Sequence, residues 1–99
     1  MAMSKKITIY DEKKGYGANT QTVIANSKTI WCSEEEVSVR NSFFAMSAGM
    51  TISKQVVIWK REYNGQSYAE FSGIKYKIVS VHNSKDSALK LLVMLERRN

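Results

Sequence analysis

Gly73-Ile74-Lys75-Tyr76-Lys77-Ile78-Val79-Ser80-Val81 alternates between two faces residue by residue. A period of two belongs to a strand, because successive side chains leave a pleated backbone on opposite sides. Ile74, Tyr76, Ile78 and Ser80 share one face, and Lys75, Lys77, Val79 and Val81 share the other. Just upstream, Ser72-Gly73 reads as a turn and Tyr68 to Phe71 as a short strand. Downstream, His82 to Asp86 is a polar turn. Ala88 to Glu96 then alternates again, with Leu89, Leu91, Val93 and Leu95 on one face.

Working further upstream, Thr51 to Lys60 also has period two. Ile52, Lys54, Val56, Ile58 and Lys60 face one way, and Thr51, Ser53, Gln55, Val57 and Trp59 the other. Neither face is wholly polar, so this strand is expected to be partly covered on both sides. Arg61 to Ser67 is read as a turn centred on Asn64-Gly65, a strong hairpin signal. The four C-terminal strands therefore read as a meander.

The period changes to that of a helix before Gly49. Val39, Phe43 and Met46 recur at i, i+4 and i+7, with Val37 and Phe44 beside them. This predicts one amphipathic helix over Val37 to Ala48, stopped by Gly49. Ser33 followed by Glu34-Glu35-Glu36 reads as its start, with Ser38 a competing cap one turn later. Before the helix, Thr29-Ile30-Trp31-Cys32 reads as a strand, with Val23-Ile24 a further extended piece. Ile7 to Tyr10 is the first strand. Asp11 to Gln21 is polar, contains Gly15 and Gly17, and reads as a long loop with Lys13, Lys14 and Tyr16 at its tip.

The expected fold is mainly β: a small closed or partly open antiparallel β-barrel of about six strands, with one α-helix inserted after the second. Closure removes exposed sheet edges, which short sheets otherwise present to other chains. The 99 residues fit one domain, 1–99, with a flexible tail at 1–6 and the loop at 11–21. A core of this size is modest, so partners are expected to complete it. No apolar run reaches the length of a membrane span, and Met1 to Lys6 is not followed by the apolar stretch of a secretory signal. Synthesis and assembly in the cytoplasm, without a membrane, are expected.

Chemistry-bearing residues are few. One cysteine, Cys32, and one histidine, His82, cannot by themselves build a zinc site. Cys32 beside Trp31 in a strand reads as a small buried residue. His82 has Ser80, Ser84 and Asp86 nearby, but such residues are also what polar turns are made of. The Glu34-Glu35-Glu36 triplet points its carboxylates in different directions and reads as a solvated helix start. Gly15-Tyr16-Gly17 lacks the third glycine and the helix of a phosphate-binding loop. The sequence asks for no enzyme, no metal and no cofactor.

The net charge of +6 is unevenly spread. Met1 to Ile30 and Thr51 to Asn99 are basic, whereas Trp31 to Met50 is acidic. Nucleic acid or an acidic protein surface would suit this balance equally. Trp59, Tyr63, Tyr68, Phe71 and Tyr76 are interleaved with Lys60, Arg61, Lys75 and Lys77. Small barrels that bind single strands use exposed aromatics beside cations in this way. The competing reading makes Phe71 and most of the tyrosines core or cross-strand pairs, with the lysines solvating the outside.

From Ile30 to the C-terminus the chain resembles the head–tail joining, or head-closure, family of tailed bacteriophages. Ile30-Trp31-Cys32 matches the family's tryptophan strand. The segment with Arg40, Phe43, Phe44 and Ala45 resembles its helix. Val56-Val57-Ile58-Trp59-Lys60-Arg61 matches its basic strand, and Gly73 to Val81 its glycine–tyrosine–isoleucine strand. Leu89 to Glu96 matches the closing strand, so the resemblance covers about two thirds of the chain. The sequence departs from the pattern at Cys32, where alanine is usual, and at Arg40 and Asn41, near a usual glutamate.

The resemblance implies a structural virion protein of the phage neck. Copies would form a ring that connects the DNA-filled head and its portal to the tail and helps close the head. The implied partners are portal or adaptor proteins, tail-completion proteins, further copies of the chain, and genomic DNA in the channel. Trp31, Phe43, Phe44, Gly73, Tyr76 and Ile78 would be core or hallmark positions. Two loops are candidate contacts: one carrying Lys13, Lys14 and Tyr16, and one carrying Arg61, Tyr63 and Asn64. Glu34 and Glu35 on one side, and Lys75 and Lys77 on the other, are candidate ring-contact charges. The alternative is a small basic β-barrel that binds single-stranded nucleic acid.

Overall fold

The computed structural model describes residues 3–14, 22–37, 46, 49, 52–85 and 87–98. They form six strands: β1 (Lys5–Lys14), β2 (Thr22–Glu35), β3 (Lys54–Trp59), β4 (Tyr68–Phe71), β5 (Ile74–Asn83) and β6 (Lys90–Arg97). Every pairing is antiparallel, and the hydrogen-bonded order β1-β2-β3-β6-β5-β4 closes on itself through β1 and β4. The closed sheet accounts for the mainly β, six-stranded expectation.

The core lies inside the closed sheet and every strand contributes to it. Ile7 and Ile9 come from β1, Ile30 and Cys32 from β2, and Val56 and Ile58 from β3. Ala69 and Phe71 come from β4, Tyr76 from β5, and Leu91, Val93 and Leu95 from β6. Each fully buried aliphatic side chain contributes about 1.5–3 kcal/mol relative to exposure. β3 is buried on both faces as expected, from Gln55 through Ile58.

Several expectations are corrected. β1 begins at Lys5 and runs to Lys14, so Lys5 and Lys6 are not a flexible tail and Asp11 to Lys14 are not loop. β2 is one continuous strand of 14 residues, and it includes Ser33, Glu34 and Glu35, which were expected to start a helix. The pairings Ser33↔Val57, Glu34↔Val56 and Glu35↔Gln55 explain this. Sheet hydrogen bonds and the Lys partners of Glu34 override the local capping pattern. The expected helix over Val37 to Ala48 falls almost wholly outside the described residues, as do Phe43 and Phe44. Tyr16 also lies outside them.

Asn64-Gly65 does not close a hairpin. β3 pairs with β2 and β6, whereas β4 pairs with β1 and β5. Residues 60–67 instead carry the chain across one end of the sheet, beginning with a single 3-10 turn at Lys60–Glu62. The true meander is β4-β5-β6. Its first turn is Ser72-Gly73, with φ of +53° and +76°. Two left-handed residues in a two-residue loop match the strand twist, which is why glycine suits Gly73.

Two irregularities set which side chains face inward. In β5 the register shifts between Ile78 and Ser80. Val79 is the extra residue, so Val81 rather than Ser80 packs on the core beside Ile74 and Ile78. In the β1–β2 pair, Tyr10 faces the two residues Asn26 and Ser27, between the pairs Ile9↔Lys28 and Asp11↔Ala25. Asn26 takes the left-handed conformation, φ +54°, which asparagine tolerates better than most residues.

Candidate interaction surface

The crossing at residues 60–67 is tied down by polar side chains from β1 and β2. Gln66 is fully buried: its Oε1 accepts from the Asn64 amide at 2.8 Å, and its Nε2 donates to the Asn26 carbonyl at 3.3 Å. Tyr63 donates its hydroxyl to the Gln66 carbonyl at 2.9 Å. Asp11 accepts from the Ser67 amide at 3.0 Å and from the Asn26 side chain at 3.4 Å. Lys28 bridges to Glu62 at 2.6 Å, and this hydrogen bond holds the Glu62 carboxyl below the usual range. Tyr63 is pushed up by burial and by Asp11. Of the candidate loop residues, Tyr63 is thus half-buried and structural, while Arg61 and Asn64 remain exposed. Lys13 and Lys14 are exposed at the end of β1.

Glu34 accepts hydrogen bonds from Lys54 at 2.8 Å and Lys5 at 2.9 Å. Those two bonds, that of Lys54 first, lower its pKa. Its charge is therefore already matched within the chain, whereas Glu35 lies half-buried on the same strand. Lys75 and Lys77 are exposed on β5, opposite Glu70 and Glu96 respectively.

Tyr76 is buried in the core, and Ile78 is half-buried against it. Trp31, read as a core or hallmark position, is not core: it is 51% exposed. Its neighbours Ile30 and Cys32 point inward, so strand alternation sends Trp31 out. The aromatic set sorts the same way. Phe71 and Tyr76 are core, and Tyr68 stacks on Tyr10 at 5.8 Å with Arg98 over its ring at 4.3 Å. Trp59 is half-buried, with the exposed Arg61 and the half-buried Lys90 over its ring.

Trp31 and Trp59 belong to one row. Lys6 pairs with Trp31, and Trp59 pairs with Lys90. Cys32↔Ile58 is the last β2–β3 pair, and Trp31 and Trp59 are the next residue on each strand. The order across β1, β2, β3 and β6 is thus Lys6, Trp31, Trp59, Lys90, all on the outer face. The Lys6 ammonium lies 4.8 Å from the Trp31 ring centroid. Lys90 and Arg61 lie 5.0 and 5.4 Å from that of Trp59. Trp59, Lys60, Arg61 and Leu89 line an open cleft of about 270 Å³. Lys6 and Lys90 escaped the sequence reading because only the register shows which cations flank a given tryptophan. The alternation of Ile30-Trp31-Cys32 was the available signal for an outward Trp31.

Ser80 and His82 are hydrogen-bonded side chain to side chain on the outside of β5. Neither lines the cleft, and among the described residues no carboxylate is bonded to His82. Asp86 lies outside the described residues. Among the described residues there is no group of three potential metal ligands. No described helix is long and apolar enough to cross a membrane. No protein-family model matches the chain, and no curated protein matches its sequence.

Proposed function

We propose that this chain is a structural protein of the phage neck that works as a ring between the portal-bearing head and the tail. One observation carries the reading: the motifs that resemble the head–tail joining family fall in order on consecutive elements of a closed antiparallel sheet. Trp31 lies on β2, Val56 to Trp59 on β3, Gly73 to Val81 on the β4–β5 turn and β5, and Leu91 to Glu96 on β6. The sheet is a small barrel in this reading.

The outer surface supports a protein that gains contacts on assembly. Val23, Ile24, Trp31, Met46 and Leu89 are large apolar side chains left more than half exposed. Val23 and Ile24 pair with Lys13 and Glu12 of β1, and among the described residues no strand lies on the far side of either. This two-stranded ribbon, its edges unpaired by any described strand, carries exposed Lys13 and Lys14, which suits a reach toward a neighbouring subunit, an adaptor or channel DNA. The function is structural, without catalysis or cofactor.

The test is genetic. In a phage whose genome encodes this chain, a nonsense mutation in it should yield DNA-leaky heads and separate tails in electron micrographs of the lysate. Intact, infectious virions from the same mutant would overturn the proposal.

A further inference from the structure

We propose that the outer row Lys6–Trp31–Trp59–Lys90, extended by Lys60 and Arg61, binds single-stranded nucleic acid. The inference stands on the surface itself and not on the neck reading. Two tryptophans occupy adjacent strands, each outward and each flanked by a cation within about 5 Å of its ring. Adjacent strands are about 4.8 Å apart, so the four-strand row spans roughly 14 Å. That width suits about four nucleotides, the short end of the range for small barrels.

The chemistry of the row is that of a nucleotide chain in negative. Flat indoles offer stacking to any base once the ammonium and guanidinium groups over their rings swing to phosphates. None of the row's residues carries a carboxylate. Glu34 is held by Lys5 and Lys54, and Glu62 by Lys28 at 2.6 Å, with the row's Arg61 only at the margin, 4.0 Å from its other oxygen. The cleft of Trp59, Lys60, Arg61 and Leu89 at one end gives a base an apolar floor and a basic rim. An acidic protein segment would use the same cations but gains nothing from two adjacent flat rings, so the observations favour nucleic acid.

The full chain is titrated with fluorescein-labelled oligo(dT) of twelve nucleotides, read by anisotropy and by tryptophan emission. Micromolar binding at low salt with quenched emission is expected. The logarithm of the affinity should fall with the logarithm of salt at a slope of up to about 3, for four phosphate contacts at about 0.7 each. W31A and W59A should each weaken binding about tenfold or more. R61E and K90E, changes at the surface that spare the folded core, should lower the salt slope. Three results would overturn the proposal: no binding at low salt, binding that neither tryptophan nor charge variants change, or displacement by a poly-glutamate peptide as readily as by unlabelled oligo(dT). The last would assign the row to an acidic protein segment.

Discussion

Cys32 shows how a single position in the closed sheet acquires its chemistry. Its thiol is fully buried, and burial, reinforced by the charge of Glu34, pushes its pKa up to about 11. The thiol should resist alkylation at pH 8 in the native protein and react promptly after unfolding, as read by mass spectrometry of iodoacetamide adducts. Because the folded pKa is raised, the thiol's contribution to stability is complete below about pH 9 and declines as pH rises toward 11. Glu34 has the opposite sign. Its carboxyl is lowered by Lys54 and Lys5, so its contribution is present above the ordinary carboxylate range and is lost as pH falls through the folded pKa. The group is a third exposed, so E34Q should cost only about 0.5–1 kcal/mol at pH 7 in urea unfolding. The cost should shrink at acid pH, where the wild-type carboxyl is protonated as well.

At the scale of elements, local pattern and long-range pairing compete, and the outcome can be traced residue by residue. Tyr68 to Phe71 was legible because Ser72-Gly73 provides a turn that the next strand needs. Ser33-Glu34-Glu35 was misread because its partners, Val57, Val56 and Gln55, are some twenty residues away. Asn64-Gly65 was misread for the same reason: a turn signal says that the chain bends, not which strand it joins. The bulge at Val79 was invisible, since Ser80 and Val81 exchange faces only through the register with Met94 and Val93. Gln66 had no sequence signal at all, yet it is buried and ties the crossing to Asn26. Q66A should destabilise the protein by about 1–3 kcal/mol, because it leaves the Asn64 amide without its acceptor. G73A should cost about 1 kcal/mol in thermal or urea unfolding, since it forces a side chain into the left-handed region. G73A should not alter oligo(dT) binding, because the β4–β5 turn carries no residue of the tryptophan row.

For the whole molecule, the strand content and most core positions were legible, and the surface was not. Core residues announce themselves by alternation: Ile7 with Ile9, Val56 with Ile58, and Leu91, Val93 with Leu95. An interaction surface is built from side chains on four different strands, so it exists only once the register brings Lys6, Trp31, Trp59 and Lys90 into one line. The same holds for the ribbon of β1 and β2, where a run read as loop becomes a projecting pair of strands. This division of labour, a small closed core beneath exposed apolar and basic features, suits a subunit that is completed by neighbours.

The neck assignment is tested most directly by locating the chain within particles. Purified virions of a phage encoding it would be labelled with gold-conjugated antibody against the chain and imaged in the electron microscope. The account predicts gold confined to the head–tail junction, together with the chain among the virion proteins by mass spectrometry. Virions that contain no copy of the chain, or gold on the capsid surface or tail tip instead, would contradict it.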